Sequence, residues 1–545
     1  MKKPLIKDMT LREKIGQMLM LSQFERFEID GKAVMWSDES IEKMAQKEQF
    51  GSIYAQYPAV MKSYEFAKII NNEARFLKIP PLVCGDSEYK GAGQSNTDLT
   101  QVPGPLALGA TDDENLVFEM GAAIARELRC TGVNWRWSPV VDISNRFSCA
   151  SLRAFTDTDV EKQSRLAIAM VKGMQSEGVA ATVKHFPGND PSDLRDSHFS
   201  LKSISFSKEE WWQKQGRIFQ NVIDGGVYSV MVAHCCFPAI DDSMVNGKLK
   251  PATASKKIIT DLLKNEMNFK GVVISDDLAM GGIAAVFPYE DMIVECVNAG
   301  NDVLLNAKHD AGDIIEKAVK DGKIDESRID DACQRVLDLK EKLGMFEDDY
   351  VNVKYKADEV KQKTEEISRK VARKAVDLIR DRRGVLPFDV NKVKKAAIIV
   401  STHNEWFAKH EILYMKECLE NRGIEVTVKR RLSSEAEIKE IAESNDLIIY
   451  AAFVAMHMPK GASTLVGEEC DTFWYAFKHG AEKSIGVSMG IPYLANGIMS
   501  GADAFVNLYG RSSFLMEAFV EGIFGEIPFT AKTPVNMKMP KIMYE

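Results

Sequence analysis

Lys184-His185-Phe186-Pro187-Gly188-Asn189-Asp190-Pro191-Ser192-Asp193-Leu194-Arg195-Asp196-Ser197-His198 is the stretch on which the reading of this 545-residue chain turns. An apolar run, Val179 to Val183, leads into it. A cation, an imidazole and a Pro-Gly break follow, then a polar loop ending in Asp196-Ser197-His198. A strand that stops in a Pro-Gly break and a polar loop is how a parallel-sheet enzyme presents chemistry at a strand's C-terminal end. An Asp and a His two residues apart in such a loop can form a carboxylate–imidazole pair. The carboxylate would orient the ring and stabilise the imidazolium, so that the His gives and takes protons near neutral pH. Alone, the stretch is equally compatible with a solvated loop carrying incidental charges.

Seven further apolar runs share this form: Gln17–Leu21, Ser52–Ala55, Pro81–Cys84, Val133–Trp137, Tyr228–Val232, Gly271–Ile274 and Asp302–Leu305. The first overlaps a helical apolar face, Leu11, Ile15, Met18 and Leu19, preceded by Thr10 as N-cap. Amphipathic helical patterns such as Glu114–Leu128, Val160–Glu177, Glu209–Gly225 and Lys256–Asn268 lie between the runs. Strand–helix alternation over some 340 residues predicts an α/β fold, a (β/α)₈ TIM-type barrel, with a doubly wound sheet as the competing architecture. Asp86, Asp142, Arg153, Lys184, His185, His234, Asp276, Asp277 and Asn306 follow one run or another. If the strands close a barrel, these groups converge on one rim. Each alone has a plainer reading: Asp276 or Asp277 before Leu278 suits a helix N-cap, and Lys184 and Arg153 suit internal ion pairs with Asp86 or Asp142.

The pattern predicts residues 1–345 as the barrel, 346–390 as a linker with a long charged helix over Ala357–Arg380, and 391–545 as a smaller α/β sandwich domain. In the last, the runs Ala396–Val400, Ile424–Val428, Leu447–Ala452, Ser484–Met489 and Ala504–Leu508 alternate with helices, so a largely parallel sheet is expected. The net charge of −9 gives no basic face for nucleic acid. There is no apolar run long enough to span a membrane and no signal-peptide pattern. Nine scattered cysteines without a CxxC pair read as reduced thiols, which points to the cytoplasm. No cofactor or metal is implied, and the oligomeric state is open.

Taken together these motifs resemble glycoside hydrolase family 3, in particular its β-N-acetylhexosaminidase (NagZ-like) branch. Lys184-His185-Phe186-Pro187-Gly188 with Asp196-Ser197-His198 is similar to that branch's KHFPGHG…DSH signature. Gly271-Val272-Val273-Ile274-Ser275-Asp276-Asp277-Leu278-Ala279-Met280 resembles the strand that carries the family's nucleophile. Met231-Val232-Ala233-His234, Ala299-Gly300-Asn301-Asp302 and Gly525-Glu526-Ile527-Pro528-Phe529 also fit, in the family's order.

The resemblance implies a retaining exo-β-glycosidase acting on a small carbohydrate whose non-reducing terminal sugar is N-acetylglucosamine or a related hexose. Asp276 would be the nucleophile, His198 the acid and then the base, and Asp196 its partner. Asp86, Arg153, Lys184, His185 and, more weakly, His234 would bind the sugar. A phosphorylase using the same residues and a silent sugar-binding protein are the alternatives. The chain departs from the signature in three rim loops. Asn189-Asp190 replaces His-Gly, with one residue more before Asp196. Glu88-Tyr89-Lys90-Gly91 replaces Glu-Gly-Gly, and Arg153-Ala154-Phe155-Thr156 replaces Arg-Ser-Phe-Gly. An altered pocket is therefore expected, in which Lys90 and Arg195 can serve an acidic substrate group.

Overall fold

The structure, a computed structural model, describes residues 2–22, 27–29, 32–34, 38–55, 62–88, 90–91, 98–145, 152–347, 350–402, 405–454, 465 and 467–537. Tyr89 of the rim loop and Asp348 of the expected linker lie outside them. The chain divides into two compact units. One comprises Met1–Thr100, Val117–Ile143 and Ala167–Thr364; the other comprises Gln101–Leu116, Ser144–Leu166 and Glu365–Glu545.

The first unit is built on seven strands: β1 (Met20–Ser22), β2 (Ser52–Tyr54), β3 (Leu82–Gly85), β4 (Trp135–Arg136), β5 (Ala180–Phe186), β6 (Ser229–Val232) and β7 (Val272–Ser275). They lie in chain order in one curled sheet, and every neighbouring pair is parallel. The intervening helices are the crossovers that parallel strands require. Leu11–Gln17 begins with the expected Thr10 cap, closed by Glu13 as a capping box, and ends before β1. The overlapping run at 17–21 is thus shared between a helix end and a strand start.

The expected eighth strand, Asp302–Leu305, forms a single parallel bridge, Ile274↔Val303. On its other side the Leu304 N–H donates to the Met18 carbonyl at 3.0 Å. Inward side chains such as Leu82, Trp135, Trp137, Ala180, Met231, Val272 and Ile274 pack into one buried cluster.

In the second unit six strands form one sheet: β8 (Asp377–Asp381), β9 (Lys395–Thr402), β10 (Glu425–Arg430), β11 (Leu447–Phe453), β12 (Ser484–Ser488) and β13 (Ala504–Asn507). Their order is β8-β13-β12-β11-β9-β10. All pairs are parallel except β8 on β13. Ile398 and Ile449 face one apolar cluster, Ile399 and Ile448 another. Burial on both faces explains the uninterrupted apolar runs. One expectation is corrected here. The long helix stops at Ala375, and Asp377–Asp381 is an edge strand instead of its last turn. Val376 and Leu378 pack on one apolar cluster and Ile379 on the other, as strand alternation requires, but helical propensity in the preceding charged stretch obscures it.

Among the described residues no helix is long and apolar enough to cross a membrane. The eight cysteines among them are free thiols.

Candidate active site

Parallel strands in chain order put the residues that follow them at one edge of the sheet. Asp86 follows β3, Lys184 and His185 end β5, His234 follows β6, and Asp276 follows β7. Hydrogen bonds tie these ends together: Ala233 N–H to the Phe186 carbonyl at 2.7 Å, and Asp276 N–H to the Val232 carbonyl at 2.9 Å.

Lys184 is almost wholly buried, and its ammonium lies 2.7 Å from Asp86 Oδ1 and 2.6 Å from Glu88 Oε1. The fully buried Arg136 supports the same loop, donating to the carbonyls of Ser87 and Glu88. Burial alone pulls its guanidinium down to about 10, against the opposing pull of Glu88 and Asp86. Arg136 had a sequence signal, a charge inside the apolar run Val133–Trp137. Glu88 had none as an ion-pair partner.

His185 forms a two-point contact with Asp142. Its backbone N–H donates to Oδ1 at 3.0 Å, and its Nδ1 lies 2.7 Å from Oδ2. The carboxylate is the acceptor, so Nδ1 carries the proton. Buried Gln215 fixes the segment that carries Asp142, donating to the Val141 carbonyl at 2.9 Å and accepting from Ile143 N–H at 3.0 Å. A side chain at Gly188 would run into Gln215, at 1.9 Å from its Cγ. Gly188 therefore permits the close approach, with φ at +117°.

The loop pair forms as the spacing suggested. His198 Nδ1 lies 2.7 Å from Asp196 Oδ1, and the same oxygen accepts the His198 backbone N–H at 3.0 Å. Asp196 is largely buried and His198 is exposed, so one carboxylate orients a ring that faces solvent. The loop that departs from the signature is firmly braced. The Asp190 carboxylate accepts the N–H and hydroxyl of Ser192 and of Ser205, at 2.5–2.8 Å. Burial pushes that carboxyl up, but the four bonds hold it below the ordinary Asp range. Arg195 is engaged by Asp193 through Nε and Nη2, so the guanidinium proposed for an acidic substrate is held within its own loop. Lys90 is half-buried.

Asp276 sits at the end of β7 with Asp277 N–H donating to its Oδ1 at 2.9 Å. Burial raises its carboxyl, but His185, His234 and Lys184 outweigh that and hold it below the ordinary value. Asp276 is thus an ionised carboxylate beside two imidazoles and the Lys184 ammonium. Its neighbour Asp277 moves the opposite way, pushed up first by burial, while accepting from Ala279 N–H at 2.8 Å and Asn306 Nδ2 at 3.1 Å. Neither aspartate caps a helix: Leu278–Met280 is a turn braced by Asp277, and the helix Gly281–Ala284 starts after Met280 without a side-chain cap.

His234 is fully buried. Its Nε2 lies 2.8 Å from the Asp277 carbonyl and its Nδ1 2.8 Å from Thr253 Oγ1. Both ring nitrogens serve the scaffold, and burial lowers its basicity. It carries the turn that bears Asp276 and Asp277. Arg153 lies half-buried in Ser144–Leu166, which clusters with the second unit. Among the described residues no group of three or more His, Cys, Asp or Glu is arranged to hold a metal.

An ionised carboxylate at a strand end, with a carboxylate-oriented imidazole carried on the next loop but one in the same unit, is chemically equipped for covalent transfer with proton exchange. Comparisons with known proteins identify the family. Residues 10–339 match the model of the glycosyl hydrolase family 3 N terminal domain. A beta-N-acetylglucosaminidase/beta-glucosidase of Cellulomonas fimi is 25% identical over 551 residues, covering 94% of this chain and 97% of that one. A family 3 beta-N-acetylglucosaminidase structure from Paenibacillus sp. str. FPU-7 has a TM-score of 0.82 at 25% identity, covering 97% of this chain and 99% of that one. A beta-glucoside phosphorylase bound to 2FGlc shares the fold, with a TM-score of 0.83 at 24% identity over 98% of this chain and 95% of that one.

Proposed function

This chain belongs to glycosyl hydrolase family 3 and is a glycoside hydrolase; we propose that it is a retaining exo-β-glycosidase with Asp276 as nucleophile and His198–Asp196 as acid–base pair. The observation that carries the reading is the electrostatic split between two adjacent carboxyls. Asp276 is held low by the two imidazoles and the Lys184 ammonium around it, and burial pushes Asp277 up. Asp277 is also taken up by Ala279 N–H and Asn306 Nδ2, so the role of nucleophile is assigned to Asp276.

In the first step a carboxylate oxygen of Asp276 bonds to the anomeric carbon as the glycosidic C–O bond breaks. The leaving oxygen takes the proton on His198 Nε2, while Asp196 retains Nδ1. In the second step His198 Nε2 takes a proton from water, whose oxygen attacks the anomeric carbon and releases Asp276. Asp86, Lys184, His185 and Arg153 are assigned to the sugar hydroxyls or the substituent at C2. Losing such a contact leaves a buried charge unpaired, which is what gives it selectivity. The names of the Cellulomonas and Paenibacillus relatives favour N-acetylglucosamine, then glucose, as the terminal sugar. In this reading residues 1–345 are the catalytic (β/α)₈ barrel. It closes where Asp302–Leu305 bonds to β7 on one side and to Met18 on the other. Residues 346–390 lead to the smaller α/β domain at 391–545, and within that stretch Asp377–Asp381 already joins the second sheet.

A second reading, phosphorolysis, is favoured by the same loop pair. A neutral imidazole, unlike a second carboxylate, does not repel an anionic acceptor approaching the glycosyl-enzyme. The phosphorylase that shares the fold makes this worth testing directly.

The test is intact mass after incubation with activated 2-deoxy-2-fluoro glycosides of glucose and other hexoses, with aryl N-acetylglucosaminide turnover followed with and without phosphate. An adduct mapped to Asp276, with turnover indifferent to phosphate, is expected. Turnover that requires phosphate transfers the assignment to a phosphorylase. Absence of both adduct and turnover with every sugar removes the enzyme mechanism proposed here.

A further inference from the structure

We propose that Gly281 and Gly282 are positioning residues for the acid–base loop, locking the turn that carries His198 onto the segment that follows Asp276. The proposal rests on the assignment of His198 above, and two independent sets of contacts support it.

The first is hydrogen bonding. Gly281 N–H donates to the His198 carbonyl at 2.9 Å, and Gly282 N–H donates to the Ser197 carbonyl at 2.9 Å. The turn itself is closed from within. Phe199 and Ser200 donate to the Asp196 carbonyl at 3.0 and 2.9 Å, and Asp196 Oδ1 accepts both the N–H and Nδ1 of His198. It therefore moves as one piece. The two glycine N–H groups are the rung that joins it to the Asp276 side of the unit.

The second is space. A Cβ at Gly281 would stand 2.7 Å from the Phe199 carbonyl oxygen and 2.9 Å from its carbon. A Cβ at Gly282 would stand 2.7 Å from the Ser197 carbonyl oxygen and 3.1 Å from His234 Cβ. The obstructing atoms at both positions are mostly backbone, so no side-chain rotation relieves them. The loop must lift away. Neither glycine has a positive φ, so close approach, not an unusual backbone conformation, is what demands glycine here. The pair follows the nucleophile by five and six residues. The segment that follows the nucleophile's strand end thereby holds the turn that carries the proton donor.

The consequence is specific to proton transfer. Glycosides of dinitrophenol leave without protonation, whereas those of weakly acidic phenols need the acid. The experiment compares wild type with Gly281→Ala and Gly282→Ala, Gly281 being the less buried. It measures kcat/KM for dinitrophenyl and 4-methylphenyl glycosides of the sugar that labels the enzyme. Amide hydrogen exchange across 196–203 and 281–282 is followed in the same proteins. We expect kcat/KM on the 4-methylphenyl glycoside to fall about 100-fold, the cost of a misplaced catalytic group. On the dinitrophenyl glycoside it should fall less than about threefold, because bond cleavage there needs no acid. Exchange across the loop should quicken.

Equal losses on both glycosides, no loss on either, or unchanged exchange in both variants overturns the proposal. If wild type turns over neither glycoside, the glycosidase reading fails by itself. The exchange data then still decide whether the glycines hold the loop.

Discussion

At the residue scale, charge and burial separate roles that type alone leaves mixed. Two neighbouring aspartates follow β7, yet only Asp276 is held low, and Asp277 is occupied in a turn by Ala279 N–H and by Asn306. Two histidines each lean on a carboxylate, yet His198 is exposed and His185 is mostly enclosed. Replacing His198 by Ala should lower kcat/KM by about 10²–10⁴ on poor leaving groups and far less on dinitrophenyl glycosides. A uniform loss would remove it from proton transfer. Lys184→Met should be among the costliest single changes, since it strands Asp86 and Glu88 beside each other. A loss of about 3–5 kcal/mol is expected, visible as a lower denaturation midpoint. An unchanged midpoint would mean that water already satisfies the two carboxylates.

His234 makes a pH prediction. Burial holds its folded pKa below the ordinary 6.5, so the unfolded chain binds a proton that the folded one refuses. The stability of the neutral ring is present above about 6.5 and is lost as pH falls below it. Between pH 6.5 and 5 the melting temperature should fall less steeply in His234→Asn than in wild type. Parallel slopes would refute this.

At the element scale, two strand ends are braced from behind by residues outside the proposed chemistry. Gln215 on its helix clamps the segment bearing Asp142, and Arg136 on β4 clamps the loop bearing Asp86. At the other edge of the first unit, Asp302 lies fully buried between Lys264 and Arg328, at 2.7 and 2.5 Å. The helix Glu326–Lys342 carries a less comfortable group. Lys340 is fully buried, and its ammonium donates to Gln17 Oε1 at 2.7 Å. Burial pulls it down to about 7 from 10.5. The unfolded chain holds the proton more tightly between those values, so stability rises with pH across the window from about 7 to 10.5. Lys340→Met removes a penalty on the order of 5 kcal/mol at most, partly offset by the orphaned Gln17 oxygen. Its gain in melting temperature over wild type should be largest at pH 7 and shrink toward pH 10. A gain independent of pH would show that the amine already finds solvent.

At the scale of the whole molecule the outcome of the reaction is the test. If Asp276 forms a covalent intermediate, the first sugar released has the same anomeric configuration as the substrate, because two displacements restore it. Proton NMR during the first minutes of turnover reads this. An inverted product would require a water-activating base in place of the nucleophile.

Much was legible without coordinates. Apolar runs with punctuating Pro-Gly and helical periods between them determined the alternation of strand and helix. Short sequence spacing determined the Asp196–His198 pair, since two residues of loop bring those side chains together in almost any turn. The end of the helix at Ala375 was not legible, because the helical period runs into a strand that only the edge of a sheet selects. Nor was the clustering of 101–116 and 144–166 with the second unit, which depends on contacts far apart in sequence. The sequence by itself determined which side chains end the strands, because that is a matter of local order along the chain. Only the tertiary structure decided which carboxyl is held low, which side chains are walled in like His234, and which carboxylate each cation holds. Those properties arise from burial and from partners 43 to 98 residues away, such as Asp142 for His185 and Asp86 for Lys184.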